Sequence, residues 1–351
     1  MTDQKDWEDG MALTRRALSA WGLAVGLVLT PLLATQAAAD DDINVGILRL
    51  TSHSPSIIAK AKGYFADEGL NVTFVPFQAA QPMAVAIASG DIDFGMTAIS
   101  AGLVSLADKG AVKVIGGALL ESDDAEGQKI LVSKAAHEGG ITTPADLAGK
   151  RYGVTTAGSS FHYMAHKIAD GEGIDRASLK MVPLHKVPVV IASLKSGQID
   201  AWSIVPNIAN ALTRGPDVVE IGEVADYIPG YQVTTVFTST DNIEERRGLV
   251  ERFLAALSKG IDDYNAAMVD KTMSEEDTAA IVAMIHEYVY ADQPIEKADP
   301  RIRAFAMRIS PGAALNLESV EDQLAWFQSE NLVPEGVTIE DLVDTSFAPI
   351  N

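Results

Sequence analysis

The stretch Gly158-Ser159-Ser160 is where residue types and spacing in this 351-residue sequence point most directly to chemistry. A glycine lets the backbone approach a bound molecule closely, and two serine hydroxyls with the neighbouring backbone N–H groups supply several hydrogen-bond donors. Such a set suits a carboxylate or a sulfonate. Serine is also a preferred N-cap residue of helices, so simple capping is the alternative interpretation.

Four ring-bearing side chains are further candidates for ligand contact. Trp202 would stack on a planar ligand or cover an alkyl chain, and Phe161 and Tyr231 would extend an aromatic wall. His53, which opens a helical stretch, would donate a hydrogen bond to an anion. The alternatives are core packing for the three aromatic residues and a solvated loop position for His53.

An internal repeat indicates which elements carry these residues. Ser89-Gly90-Asp91-Ile92-Asp93 aligns with Ser196-Gly197-Gln198-Ile199-Asp200 at a separation of 107 residues, and the same separation relates Gly46 to Gly153. The alternative is a chance similarity between two unrelated helix–glycine–strand units. The matched Asp93 and Asp200 are predicted to have a structural role common to both copies.

Each copy of the repeat predicts a β-α-β-α-β unit. Apolar runs predict strands at 43–48, 72–76 and 92–96 in the first copy and at 151–155, 180–183 and 199–204 in the second. Gly90 and Gly197 close the second helix of each unit. Strands that alternate with helices imply mainly parallel sheets with right-handed crossovers. The sequence therefore predicts two doubly wound α/β lobes.

The strand ends of such lobes add further candidates. In open α/β sheets, ligands bind beyond the carboxyl ends of the strands, where helix N-termini present backbone N–H groups. Applied to the repeat, this rule adds a second set of predicted ligand contacts: Thr51, Ser52, Gln81, Thr97, Ala98 and Asn207.

Glycine and proline positions predict the lobe boundaries. We expect residues 40–134 to form the first part of lobe 1, residues 135–230 to form lobe 2, and residues 231–351 to return to lobe 1, with crossings near 134–140 and 228–232. Helical periodicity after residue 242 predicts C-terminal helices that brace lobe 1, with Trp326 and Phe327 as core anchors.

The first 39 residues resemble a signal peptide. Arg15-Arg16 precedes an apolar stretch that ends in Ala37-Ala38-Ala39, a small-residue cleavage pattern. A retained membrane anchor is the alternative, and the paired arginines leave twin-arginine and ordinary export open. Export to the periplasm is expected.

Composition excludes several classes of function. The formal net charge of −21 argues against a nucleic-acid partner, because binding to phosphates needs clustered lysine and arginine. With 0 cysteines, the chain has no disulfide, no thiolate nucleophile and no cysteine-based zinc site. No metal and no cofactor are expected.

Three motifs carry a family resemblance: residues 63–72 (GYFADEGLNV), 88–95 (ASGDIDFG) and 146–154 (DLAGKRYGV). They resemble the periplasmic substrate-binding proteins of the NMT1/THI5-like group over residues 43–239. The resemblance implies a type II periplasmic-binding-protein fold with a hinge, a small organic ligand, and an ABC permease and ATPase complex in the inner membrane as partners of a monomer.

The resemblance also bears on the ligand. Residues 158–163 are similar to the anion-contacting loop of the sulfonate and taurine branch, and Asp200-Ala201-Trp202 is similar to its third-strand motif. Ile204-Val205-Pro206 departs from that branch, which often carries another aromatic residue and an aspartate there. The ligand therefore stays open among sulfonates, carboxylates and aromatic or heteroaromatic compounds.

Two other classes of function compete with a binding protein. The resemblance also extends to enzymes on the same fold, in pyrimidine or menaquinone-precursor chemistry and desulfination. The pyrimidine synthase and the desulfinase depend on cysteines, which this chain lacks. A regulator's effector domain would need a DNA-binding helix pair where the predicted signal lies. The expectation is a binding protein rather than an enzyme.

Overall fold

The computed structural model describes residues 41–351, so the predicted signal peptide lies outside the described residues. Twelve strands are present in this part of the chain: β1 Asp41–Leu48, β2 Leu70–Phe77, β3 Phe94–Thr97, β4 Val112–Gly117, β5 Leu119–Leu120, β6 Lys129–Ser133, β7 Arg151–Val154, β8 Lys180–Pro183, β9 Ala201–Ile204, β10 Val218–Glu223, β11 Thr235–Ser239 and β12 Arg308–Ile309.

Helices connect most of these strands and form the C-terminal part of the chain. The α-helices are α1 Ser54–Ala61, α2 Tyr64–Asp67, α3 Ala80–Ala88, α4 Ala101–Asp108, α5 Lys134–Glu138, α6 Ser160–Gly171, α7 Val187–Lys195, α8 Pro206–Thr213, α9 Thr240–Glu245, α10 Arg247–Tyr264, α11 Glu275–His286, α12 Ile295–Arg303, α13 Leu317–Ser329 and α14 Ile339–Leu342. Between residues 41 and 351, no helix combines the length and the apolar character needed to cross a membrane.

Two five-stranded sheets form the two lobes, as the sequence predicts. Their strand orders are β2-β1-β3-β11-β4 and β8-β7-β9-β6-β10, so each strand of one sheet has a counterpart in the other. The sheets are mixed rather than parallel throughout, because β11 and β6 run antiparallel to their neighbours. Each of these two strands follows a crossing from the other lobe and therefore enters its sheet in the opposite direction.

The repeat is confirmed in three dimensions, and it extends beyond the third strand to β4 and β10. A Cβ atom on Gly46 would meet Ile92 and Met83, and one on Gly153 would meet Ile199 and Val190, the residues at the equivalent positions. Asp93 and Asp200 also have the structural role that the sequence predicts, because each accepts a hydrogen bond from the backbone of the first strand of its own copy. Asp93 accepts a hydrogen bond from the N–H of Asn44 at 2.8 Å, and Asp200 accepts one from the N–H of Arg151 at 2.7 Å.

Replacing Gly153 by alanine is expected to lower the free energy of unfolding by about 1–3 kcal/mol, because an added methyl group overpacks the contact with Ile199 and Val190. Gly248 in α10 is the matched control, since a Cβ there meets open space. Gly248→Ala should stabilise the helix by about 0.5–1 kcal/mol. Urea denaturation of both variants measures the difference, and equal stability of Gly153→Ala and the wild type would contradict this packing.

The first crossing between the lobes lies earlier than the sequence predicts. β6 already belongs to the second sheet, so the chain crosses between Leu120 and Lys129, and residues 134–138 form α5 instead. The predicted crossing near 134–140 was wrong because the glycines there end a short helix. The return segment includes Tyr231, whose carbonyl accepts a hydrogen bond from the N–H of Glu121 at 2.9 Å. The two crossing segments are therefore bonded side by side.

The C-terminal helices contact both lobes. In lobe 1, α10 packs on α1, and Phe253 of α10 stacks on Phe94 with ring centroids 3.9 Å apart. Helix α13 instead contacts α6 of lobe 2. Trp326 is buried as predicted, but its indole N–H donates to His166 of α6 at 3.3 Å. The C-terminal region thus bridges the lobes as well as bracing the first.

Candidate functional site

An enclosed chamber lies between the two lobes at the carboxyl ends of the strands. Its walls come from the ends of β1 and β3 in lobe 1 and of β7 and β9 in lobe 2, and the two crossing segments complete it with Leu119, Gln128, Val233 and Thr234. The cavity has a volume of about 70 Å³. This is the position that the strand-end rule assigns to ligands in open α/β sheets.

Within residues 41–351, two polar atoms at the chamber have no hydrogen-bond partner: Nδ1 of His53 and Oγ of Ser159. Both residues line the cavity and are buried, at 2% and 4% exposure. Burial lowers the pKa of His53 to about 3, so its imidazole is neutral at neutral pH. A buried polar atom without a partner costs free energy, so these two atoms are candidate hydrogen-bonding groups for a ligand.

Ser159 occupies the N-cap position of α6, yet its side chain makes no capping hydrogen bond. The capping interpretation raised by the sequence therefore does not account for this hydroxyl. Helix α6 begins at Ser160, and the first N–H groups of a helix have no acceptor within it. The helix macrodipole adds positive potential at the same end. The N-terminus of α6 thus presents neutral donors and a favourable dipole to the chamber.

Gly158 contributes to the site through its backbone conformation rather than through a free donor. Its φ of +70° is in the left-handed region, and a Cβ would approach that of Ala101 to 2.5 Å. Its N–H donates to Nδ1 of His162 at 3.1 Å, and the N–H of Ser159 donates to the carbonyl of Thr156 at 3.2 Å. A tight turn therefore uses the N–H groups of residues 158 and 159 internally, so these two of the backbone donors expected near the serines are not free for a ligand.

Backbone hydrogen bonds join the two lobes across the cleft. The N–H of Ala101 in lobe 1 donates to the carbonyl of Gly158 in lobe 2 at 2.9 Å. The N–H of Val187 in lobe 2 donates to the carbonyl of Gln78 in lobe 1 at 3.3 Å. The structure therefore has the lobes in contact around the chamber, which is a closed arrangement.

None of the chamber-lining residues within the described range 41–351 is lysine, arginine, aspartate or glutamate. The polar lining consists of hydroxyl, amide and imidazole groups, including Ser52, Thr97, Gln128 and Thr155. Such groups bind a small polar head by hydrogen bonds and dipoles rather than by an ion pair.

The chamber brings together seven of the residues predicted from the sequence: Ser52, His53, Thr97, Ala98, Ser159, Ser160 and Phe161. Thr51 is buried in the same short turn but does not line the cavity. Gln81 lines a neighbouring recess of about 250 Å³ that is bounded on one side by Ser159. Gly158 shapes the loop from behind, as described above.

Three predicted contacts lie in the core instead. Trp202 is fully buried within β9, with Phe161 between it and the chamber region at a ring-centroid distance of 5.3 Å. The sequence predicts Trp202 at the cleft, but this residue lies inside β9. The end of the strand, which lines the cavity, is formed by Ile204 and Val205 instead. Tyr231 is fully buried in the return segment, and Asn207 is buried in the first turn of α8.

The residues that the crossing segments contribute, above all Gln128 and Thr234, were not predicted from the sequence. The only local signal for Gln128 is its position directly before β6, and its burial is seen only in the structure. No local pattern marks Leu119 or Val233, because they reach the chamber only once the two crossings lie side by side.

The sequence of residues 50–267 matches the family described as NMT1/THI5 like. The chain belongs to the NMT1/THI5-like family. This match confirms the resemblance inferred from the three motifs. It covers both crossings, the second copy of the repeat and the first copy from residue 50 onward, and it includes every chamber-lining residue except Leu48.

A curated relative matches part of the chain in sequence. A Bacillus subtilis (strain 168) protein named for the binding of aliphatic sulfonates is 30% identical over 227 residues, which are 63% of this chain and 64% of that protein. The chain thus spans about 64% of the length of this curated relative.

Two solved structures match most of the chain. The alkanesulfonate-binding protein SsuA from Xanthomonas axonopodis pv. citri bound to MOPS has a TM-score of 0.68 at 19% identity, covering 88% of this chain and 100% of that one. The periplasmic nitrate-binding protein NrtA from Synechocystis PCC 6803 has a TM-score of 0.67 at 11% identity, covering 85% and 83%. At these identities the similarity establishes the periplasmic-binding-protein fold.

Proposed function

We propose that the protein is the periplasmic solute-binding component of an ABC importer and that it captures a small organic molecule between its lobes. The observation that carries this proposal is the enclosed chamber at the strand ends of both sheets, where His53 Nδ1 and Ser159 Oγ are buried without a hydrogen-bond partner among residues 41–351. The family and the functions named for its relatives support the same class of protein.

The chamber favours a small polar head group, either neutral or singly negative. Its donors are neutral, and the N-terminus of α6 adds a positive dipole, so a carboxylate or sulfonate is bound without a counter-charge. The overall charge of −21 repels anions at long range, so the attraction must be local. The relatives named for sulfonates and nitrate are consistent with an anionic head.

Lobe closure is the proposed mechanism of capture. The crossing segments that join the lobes act as the hinge, and opening would separate the contact between Ala101 and Gly158 to expose the chamber. A ligand that bonds to His53 in lobe 1 and Ser159 in lobe 2 stabilises the closed form, because it is held from both sides. The closed form would then deliver the ligand to a membrane permease and its ATPase.

A thermal-shift screen tests this function directly. The compounds are alkanesulfonates, taurine, nitrate, aliphatic and aromatic carboxylates, and pyrimidine or flavin precursors. We expect one chemical class to raise the melting temperature in a concentration-dependent way, since binding to the native state alone stabilises it. Mass spectrometry of the recovered ligand should show it unchanged. Conversion of the ligand would instead support an enzyme on this fold and contradict the receptor.

A further inference from the structure

An apolar groove of about 580 Å³ adjoins the chamber on its outer side. Leu48, Leu50 and Phe77 line it from lobe 1, and Ile191 of α7, Ile208 and Leu212 of α8 line it from lobe 2. This groove is far larger than the chamber, and most of its lining is hydrocarbon, with Arg49, Gln78 and Tyr290 as its polar members. An exposed apolar groove of this size is typical of a binding surface rather than of an ordinary part of a protein exterior.

The groove and the chamber are adjacent cavities between the lobes. Leu48, Leu50 and Val187 line both cavities, so a molecule that occupies both would cross the boundary that these side chains form. Both cavities also take their walls from both lobes. Tyr290, in the segment between α11 and α12, covers part of the groove with φ of +63°, a conformation that L-residues rarely adopt.

We propose that the ligand is an amphiphile, with its small polar head in the chamber and a hydrocarbon or fused-ring body in the groove. This inference rests on the proposed function and specifies the class of molecule. The chamber alone, at about 70 Å³, holds only a head group. The groove, at about 580 Å³, has room for a much larger apolar body.

The apolar body contributes affinity by leaving water and by holding the lobes together. Each methylene group buried in the groove is expected to raise affinity about fourfold, until the chain reaches the open end. Because the groove is shared by both lobes, an apolar body in it favours the closed form as well.

Calorimetric titration with n-alkanesulfonates and n-alkanecarboxylates, from ethyl to decyl, tests the proposal on the mature full-length protein. We expect affinity to rise with chain length by about fourfold per methylene in at least one series and then to level off. Affinity that does not change with chain length would overturn the amphiphile while leaving the proposed function intact. If no head group of either series binds at any length, both proposals fail for these classes.

A filled groove provides the second test. Ala211 is exposed on α8 at the groove, so Ala211→Trp would place an indole in it without disturbing the core. Ala192 of α7 is a matched control, since it is an exposed helical alanine that does not line the groove. The probe is 1-anilinonaphthalene-8-sulfonate, which carries a sulfonate on an apolar ring system and becomes fluorescent in apolar sites.

Ala211→Trp should weaken binding of this probe and of decanesulfonate by at least tenfold, while ethanesulfonate binds as it does to the wild type. Ala192→Trp should bind all three compounds like the wild type. Equal effects of the two substitutions, or an equal loss for the ethyl and decyl compounds, would show that the groove does not hold the apolar body.

Discussion

Ser159→Ala is expected to reduce affinity for the ligand found by the screen at least tenfold while leaving the free protein as stable as the wild type, or slightly more stable. Ser159 lines the chamber, and its hydroxyl is buried with no hydrogen-bond partner in the part of the chain that the structure describes, so its removal breaks no hydrogen bond there. In the complex, its loss removes a hydrogen bond to a polar or charged head, which contributes about 1–3 kcal/mol. Calorimetric titration and urea denaturation measure the two quantities separately.

Ser133→Ala is the matched control for this prediction. Ser133 is a buried serine that caps α5 by accepting from the N–H of Ala136 at 3.2 Å, at the opposite end of the second sheet from the chamber. Its replacement should lower the free energy of unfolding by about 1 kcal/mol without changing ligand affinity. If Ser159→Ala behaves in the same way, Ser159 is a structural residue and the chamber has been misinterpreted.

His53→Leu extends the same test to lobe 1. The buried neutral imidazole has its Nδ1 unpartnered, so an apolar side chain of similar size should be tolerated in the free protein. We expect a further loss of affinity of about tenfold when it is combined with Ser159→Ala, since the two groups bind the head from different lobes. An affinity for the double variant equal to that of Ser159→Ala alone would exclude His53 from the site.

Glu121→Gln is expected to remove a pH-dependent loss of stability. This loss is about 3 kcal/mol, which corresponds to a carboxyl pKa that folding raises by roughly 2.5. Glu121 lies in the first crossing segment at 1% exposure, and burial raises the pKa of its carboxyl from 4.5 to about 7. Its Oε1 accepts from the N–H of Gln128 at 3.0 Å, whereas Oε2 has no hydrogen-bond partner between residues 41 and 351.

The sign of this effect follows from the raised pKa. Below pH 4.5 the carboxyl is protonated in both the folded and unfolded states, and no stability is lost. Between about 4.5 and 7 the unfolded chain releases the proton while the folded protein retains it, so stability falls as the pH rises. Above about 7 the buried carboxylate is charged and the full cost remains.

Denaturation of the wild type and Glu121→Gln from pH 4 to 8 measures this effect as the difference between two curves. The difference is needed because His53, with its pKa lowered to about 3, acts in the opposite direction and destabilises the fold as the pH falls below 6.5. Glu335→Gln, at an exposed site, is the control and should leave the curve unchanged. Parallel curves for the wild type and Glu121→Gln would contradict the prediction.

The local sequence was sufficient to predict the repeated unit of this fold. Alternating apolar runs and the glycines at 46, 90, 153 and 197 predict the strands and helix ends, because periodicity and backbone conformation depend on neighbours along the chain. From these elements, the strand-end rule led to Ser52, His53, Thr97 and Ser159, which the structure brings to one chamber. The family was also recognisable from short motifs.

Tertiary contacts decided which of these residues face the chamber and what else reaches it. Trp202 is buried because β9 places it behind Phe161, and the N–H of Gly158 is occupied because the turn folds it onto His162. Gln128 and Thr234 enter the site only through the pairing of two crossings that are distant in sequence.

The chain by itself therefore determined two α/β lobes of one family and a polar binding loop. The apposition of the lobes determined the rest: an uncharged chamber with two unpartnered polar atoms and an apolar groove shared by both lobes. These features are made by residues from different sheets, and no spacing along the sequence specifies how two sheets face each other.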